Sequence, residues 1–188
     1  MAEGTQRITV PCCEACRKAG EPDDAVVRNL LISTAEAELH GHGNGILSEK
    51  RNRSFVKDRK QLPKILDTMK LANVESPSGY RLGVAPAFDL NRPEFDRFFL
   101  RMSRALLHEV LNSGFVDCSA EWHPILDFHF RSAFFQCATV RREVSTEFAF
   151  AAHQGNQKGV WFWLMTLFGK DFLVRLSVAD GIDNQAAR

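Results

Sequence analysis

Apolar residues recur at two distinct periods along this chain. At three- and four-residue spacing, Val26, Val27, Leu30, Leu31, Ala35 and Leu39 mark one face of a helix, and Pro22-Asp23-Asp24 offers a start with Asp23 or Asp24 as N-cap. The stretch Gly41-His42-Gly43-Asn44-Gly45 closes that helix; it lacks the Gly-Lys-Ser/Thr ending of a phosphate loop and reads as a turn. A stronger helix opens at Pro93, where Phe95, Phe98, Phe99, Met102, Leu106 and Val110 form one apolar stripe ending near Gly114. This stripe is core rather than a cofactor site.

Alternation takes over elsewhere. Met69 to Glu75 and Tyr80 to Ala87 predict two strands, joined by Ser76-Pro77-Ser78-Gly79 as a hairpin. Near the end, Thr146 to Ala152, Trp161 to Phe168 and Phe172 to Val178 predict three more, the last two joined through Gly169-Lys170 as a type II′ turn. In the middle one, Trp161, Trp163, Met165 and Leu167 face away from Phe162, Leu164 and Phe168, so both faces are apolar and the strand belongs at a sheet centre, covered on both sides. Cys118 to Glu143 fits neither period, because Trp122-His123-Pro124 interrupts it; this part reads as irregular, with room for one strand. The expected architecture is α+β: two prominent helices packed on a mainly antiparallel sheet, with a C-terminal three-stranded meander. An N-terminal segment over 1–22, a single domain over 23–180 and a flexible tail over 181–188 complete the picture.

Composition adds limits. At 188 residues, 45% apolar and 25% charged, the chain can bury one sizeable core, and fifteen Phe against one Tyr make that core Phe-rich. No apolar run is long enough to cross a bilayer, and five cysteines without a leader sequence suit a reducing cytoplasm. A net charge of +1 exerts no global pull on nucleic acid, so such a role needs a local patch. Two exist. Lys50, Arg51, Arg53, Lys57, Arg59, Lys60 and Lys64 face only Glu49 and Asp58 in the most basic stretch. Arg97, Arg101, Arg104 and His108 recur along one face of the second helix. Each is a solvated face in the plainest reading and a nucleic-acid or partner surface in the functional one.

Metal chemistry points to the N-terminus. Cys12, Cys13 and Cys16 place two or three thiolates in one turn ahead of a helix, which is half of a tetrahedral zinc site. His40 and His42 could complete a two-Cys, two-His set with Cys13 and Cys16, and a second copy of the chain could do so across a homodimer. Cys118 and Cys137 read as small buried apolar residues. No Ser-His-Asp order, nucleophile elbow or paired carboxylates emerge.

The run Thr9-Val10-Pro11-Cys12-Cys13-Glu14-Ala15-Cys16, the following Asp23-Asp24 helix, Lys50-x-x-Arg53-Ser54-Phe55, the Pro77 to Gly79 hairpin and the helix carrying Arg97, Arg101, Arg104 and His108-Glu109 together resemble bacterial HNH-endonuclease-related proteins. The second zinc knuckle of that family has the form Val-Pro-x-Cys-x-x-Cys-Asn; here Arg17 stands in the Asn position. The resemblance implies zinc on Cys13 and Cys16 and a catalytic His segment upstream. The eleven residues before Cys12 hold no His and no Cys, so it implies a relative without that catalytic half. The expected function is non-catalytic binding of nucleic acid or a nucleoprotein partner. The alternatives are a metal-dependent endonuclease completed by a partner chain, with His40 or His42 as base, and a phage or mobile-element regulator of a nucleoprotein machine.

Overall fold

The computed structural model describes residues 13–33, 49, 52–53, 56, 61–67, 69–76, 78–90, 92–111, 117–125, 128–145 and 147–179. Helix α1 runs Glu14–Ile32, nine residues ahead of the expected start. The physical reason lies in the cap. Cys13 is extended, with φ −66° and ψ 153°, and its Sγ accepts the Cys16 N–H at 3.3 Å, which satisfies one of the free donors of the first turn. The residues behind it are good helix formers, tied by the i,i+4 pairs Glu14–Lys18 and Arg17–Glu21. Pro22 therefore lies inside α1 instead of opening it, and Asp23 is not a cap. The helix also passes through residue 22, where a segment boundary was expected. It stops at Ile32, short of the expected Leu39, because Ser33 turns back: its N–H bonds Leu30 O at 3.0 Å and its Oγ donates to Asn29 O at 2.8 Å.

A short helix α2, Gln61–Leu66, leads into strands β1, Met69–Glu75, and β2, Arg81–Phe88, which form a separate two-stranded antiparallel sheet. The hairpin falls where the sequence predicts it. Gly79, at φ 82°, supplies the left-handed step of the turn, and Gly79 N–H bonds Ser76 O at 2.8 Å. Helix α3, Pro93–Leu111, follows and buries Phe95, Phe99, Leu106 and Leu107. The Phe stripe is core, as its spacing implies.

Cys118 to Glu143 is more regular than expected. It holds strand β3, Cys118–Ile125, helix α4, Phe128–Cys137, and the start of strand β4, Val140–Ser145. Strands β5, Phe148–Gln154, β6, Val160–Leu167, and β7, Lys170–Val178, complete one antiparallel five-stranded sheet in the order β3-β7-β6-β5-β4. The class is α+β with a C-terminal meander, which β4 extends by one strand beyond the three expected. The β6–β7 turn is shifted by one residue: Leu167 pairs with Lys170, and Phe168 and Gly169, at φ 51° and 81°, form the tip. Two positive φ values in succession are the type I′ pattern, which matches strand twist.

Register explains the layers. Trp161, Trp163, Met165 and Leu167 of β6 join Phe150, Phe172, Val174 and Leu176 on one face, beneath α1 and α3. Leu164 and Ala151 on the other face are also buried, and α4 packs across that side against β3 and β5, with Arg131 reaching Asp171 at 3.5 Å. As the sequence predicts, β6 is central and covered on both faces.

Candidate functional site

Four places in the fold bear on function. The first is the junction of α1 and α3. Asp23 is buried, and its carboxylate accepts Arg97 Nε at 3.0 Å, Arg97 Nη2 at 2.8 Å and Arg101 Nη1 at 2.8 Å. Arg101 Nη2 also reaches Asp24 at 2.6 Å and Gly20 O at 3.3 Å. The forked guanidinium fits a carboxylate in two parallel bonds, which is why Arg serves here rather than Lys. Arg97's hydrogen bonds hold the Asp23 carboxyl below its ordinary value, against the opposing effect of burial. Gly20 permits the approach, since a Cβ there would lie 2.9 Å from Arg101 Nε. Arg104 is engaged as well, donating to Cys118 Sγ and Cys118 O at 3.3 Å and to Asp117 at 3.4 Å. The helix face expected to be solvated is thus an inter-element clamp. Sequence spacing could not reveal this, because Asp23 is 74 residues from Arg97.

At the N-terminus of α1, Cys13 and Cys16 are exposed three residues apart on one turn. The Cys16 thiol, and after it the Cys16 N–H, hold the Cys13 thiol below its ordinary value. Two thiolates in this arrangement suit zinc, yet among the described residues no group of three or more His, Cys, Asp or Glu side chains could hold a metal ion. Cys12, His40 and His42 lie outside the described residues. So do Lys50, Arg51, Lys57 and Arg59. Arg53 is exposed, 3.8 Å from Glu49. Cys118 is partly buried, and Cys137 is exposed at the end of α4 rather than buried.

The third place was not anticipated. In the β1–β2 hairpin, register places Met69 opposite Phe88 and Leu71 opposite Pro86, with Val84 and Leu82 further along the same face. Phe88 packs into the core, so this apolar face continues the core outward. Leu71 is 75% exposed, Leu82 68% and Val84 52%, and Tyr80 at the turn is 74% exposed. Lys70 lies on the opposite side, Asn73 pairs with Val84 on this face, and the register shift at Val74/Glu75 sets Glu75 opposite Arg81 at its turn end. The alternating pattern was legible as a strand pair, but nothing local showed that its apolar side chains would stay exposed among the described residues.

A cavity of about 840 Å³ lies along β3, lined by Ala120–Pro124 and by Phe88, Asp89, Leu90 and Asp96. Its floor is aromatic. Trp122 stacks at 5.5 Å on Phe95 and lies 5.0 Å from Phe99, while its Nε1 donates to Asp96 at 2.7 Å. Comparison with protein-family models, curated proteins and solved structures gives no match to this chain. Among the described residues, no helix is long and apolar enough to cross a membrane.

Proposed function

We propose that this chain is a non-catalytic binding protein whose partner is another protein with an uncharged apolar surface, received on the outer face of the β1–β2 hairpin. The carrying observation is that Leu71, Leu82 and Val84 are exposed on a two-stranded sheet whose Phe88 packs against the core. A two-stranded hairpin is marginal in water by itself, and contiguous exposed apolar surface marks interaction sites. A nucleic-acid surface needs a row of cations, and Leu71, Leu82 and Val84 supply none, while Arg81 at the turn end is paired with Glu75 in register. Arg97, Arg101 and Arg104, which the nucleic-acid reading would use, already bond carboxylates, a thiol and carbonyls within the chain. That reading then rests on the stretch from Lys50 to Arg59. The nuclease-like ancestry and a zinc ion on Cys13 and Cys16 belong to the same proposal, in which the metal would tether the start of α1.

The test is photo-crosslinking from position 82 of the full chain, with position 70 on the opposite face as control, followed by mass-spectrometric identification and reconstitution of the complex. The reading expects a protein adduct from position 82 alone. The reconstituted complex should resist ~0.5 M salt, because apolar burial is not screened, and should be lost in Leu71→Glu. A nucleic-acid adduct, steep weakening with salt, or binding unchanged in Leu71→Glu would overturn it.

A further inference from the structure

The open edge of β3 supports an inference independent of the hairpin. Hydrogen-bond parity fixes which backbone groups of β3 face outward. Ala179 N–H bonds Asp117 O at 3.0 Å, so the odd-numbered residues of β3 pair with β7. On the other side of β7, Val178 N–H bonds Gly159 O at 2.9 Å, which assigns its even-numbered residues to β6 and agrees with that alternation. The N–H and C=O of Ala120 and Trp122 therefore point away from the sheet. Among the described residues nothing pairs with them.

The two ends of this edge are closed. Arg104 occupies the outward carbonyl of Cys118 at 3.3 Å, and Pro124 has no N–H to present. Between them lies the cavity beside Asp89 and Asp96, with Glu121 in its lining and, among the described residues, no Lys or Arg there. Its wall includes Leu90 and the Trp122 indole.

We propose that this groove receives an extended peptide segment carrying a lysine or arginine, added as a short sixth strand beside β3. Main-chain bonds to Ala120 and Trp122 supply the strand pairing, as in other edge additions. The choice of a basic segment follows from the charge of the walls: an aliphatic stem lies along Leu90 and Trp122 while its cationic head reaches Asp89 and Asp96. Closure at Cys118 and Pro124 limits the paired stretch to the residues between them, which sets register.

The probe is a fluorescein-labelled nonapeptide of alternating Val and Lys, read by anisotropy against the full chain, with a Val and Glu peptide as control. The inference expects saturable binding of the Lys peptide, at least about tenfold tighter than the Glu peptide. Ala120→Pro removes an N–H that β7 does not use, as Pro124 already does, and should weaken binding about tenfold while the circular dichroism of the sheet is retained. Should that variant unfold, Asp89→Lys tests the same site from the opposite wall and should weaken the Lys peptide by a similar factor. Equal affinity for the two peptides, or full affinity in a folded Ala120→Pro and in Asp89→Lys, would overturn the proposal.

Discussion

The hairpin β1–β2 and the strand pair β6–β7 begin from the same instruction, alternating side chains around a glycine-containing turn, and end in opposite conditions. In β6, Trp163, Leu164 and Met165 are all fully buried, because α1 and α3 close one face and α4 the other. In β1, every residue but Ala72 is exposed. Strand pairing alone does not distinguish them, since both registers are regular apart from a bulge at Val74/Glu75. Coverage does. Sheet stability comes from burying a face, and a pair of strands that buries little contributes little. Among the described residues, the chain thus joins a buried body to a hairpin whose Leu71, Leu82 and Val84 are exposed.

The largest effect should come from the body. Trp163→Ala removes a fully buried indole packed 6.0 Å from Phe150 and 5.9 Å from Trp161, and should lower unfolding free energy in urea by about 4 kcal/mol, whereas Leu71→Ala should change it by less than ~0.5 kcal/mol. Comparable losses at both positions would erase the distinction between the two regions.

Next comes the clamp that fastens α1 to the body. Asp23→Asn leaves Arg97 and Arg101 without their shared carboxylate and should cost about 2 kcal/mol at pH 7. The Asp23 carboxyl is held below its ordinary value of 3.8, so its contribution is present above about pH 4 and is lost as pH falls through the lower folded value. Wild type and Asp23→Asn should therefore converge in stability as the medium is acidified. A constant gap from pH 7 to pH 2 would remove Asp23 from that role.

These two elements also show where sequence reading succeeds and fails. Helix α3 and the hairpin are legible because their signals are local: the Phe95–Phe99–Met102–Leu106 spacing, and Pro77 with Gly79 between alternating runs. The start of α1 is misread because Pro22-Asp23-Asp24 imitates a cap, while the real cap is a cysteine sulfur bonding Cys16 N–H. Pro124 conceals β3 because proline contradicts a strand except where its missing N–H faces outward, and that orientation is a property of the sheet. Arg97 and Arg101 look solvated because their partner comes from another helix. Of the candidate site, the cysteine pair was visible in the sequence; the exposed hairpin face and the groove beside β3 were not, since both depend on how distant elements pack in the fold.

A finer contrast concerns Gly20. Gly20→Ala should gain helix propensity yet displace Arg101, for a net loss of about 0.5 kcal/mol; in an Arg101→Ala background the same change should stabilise by about 0.5 kcal/mol. The double-mutant cycle measures that reversal, and a gain in both backgrounds would show that Arg101 moves aside freely. The smallest effect on global stability belongs to the hairpin itself. Its amides should exchange with solvent by local opening, well before those of β6, and Leu71→Glu should leave β6 protection unchanged in native-state hydrogen exchange.

The chromophores are divided along the same line. All three tryptophans, Trp122, Trp161 and Trp163, lie on the inner face of the large sheet, while the single tyrosine, Tyr80, stands at the tip of the hairpin. Tryptophan emission excited beyond the tyrosine band thus reports the body alone, and Tyr80 is read as the extra indole emission gained when excitation moves into the tyrosine band. Resonance energy transfer from Tyr80 to the indoles measures how far the hairpin stands from the sheet, so docking of a partner can be followed optically in the unlabelled native chain.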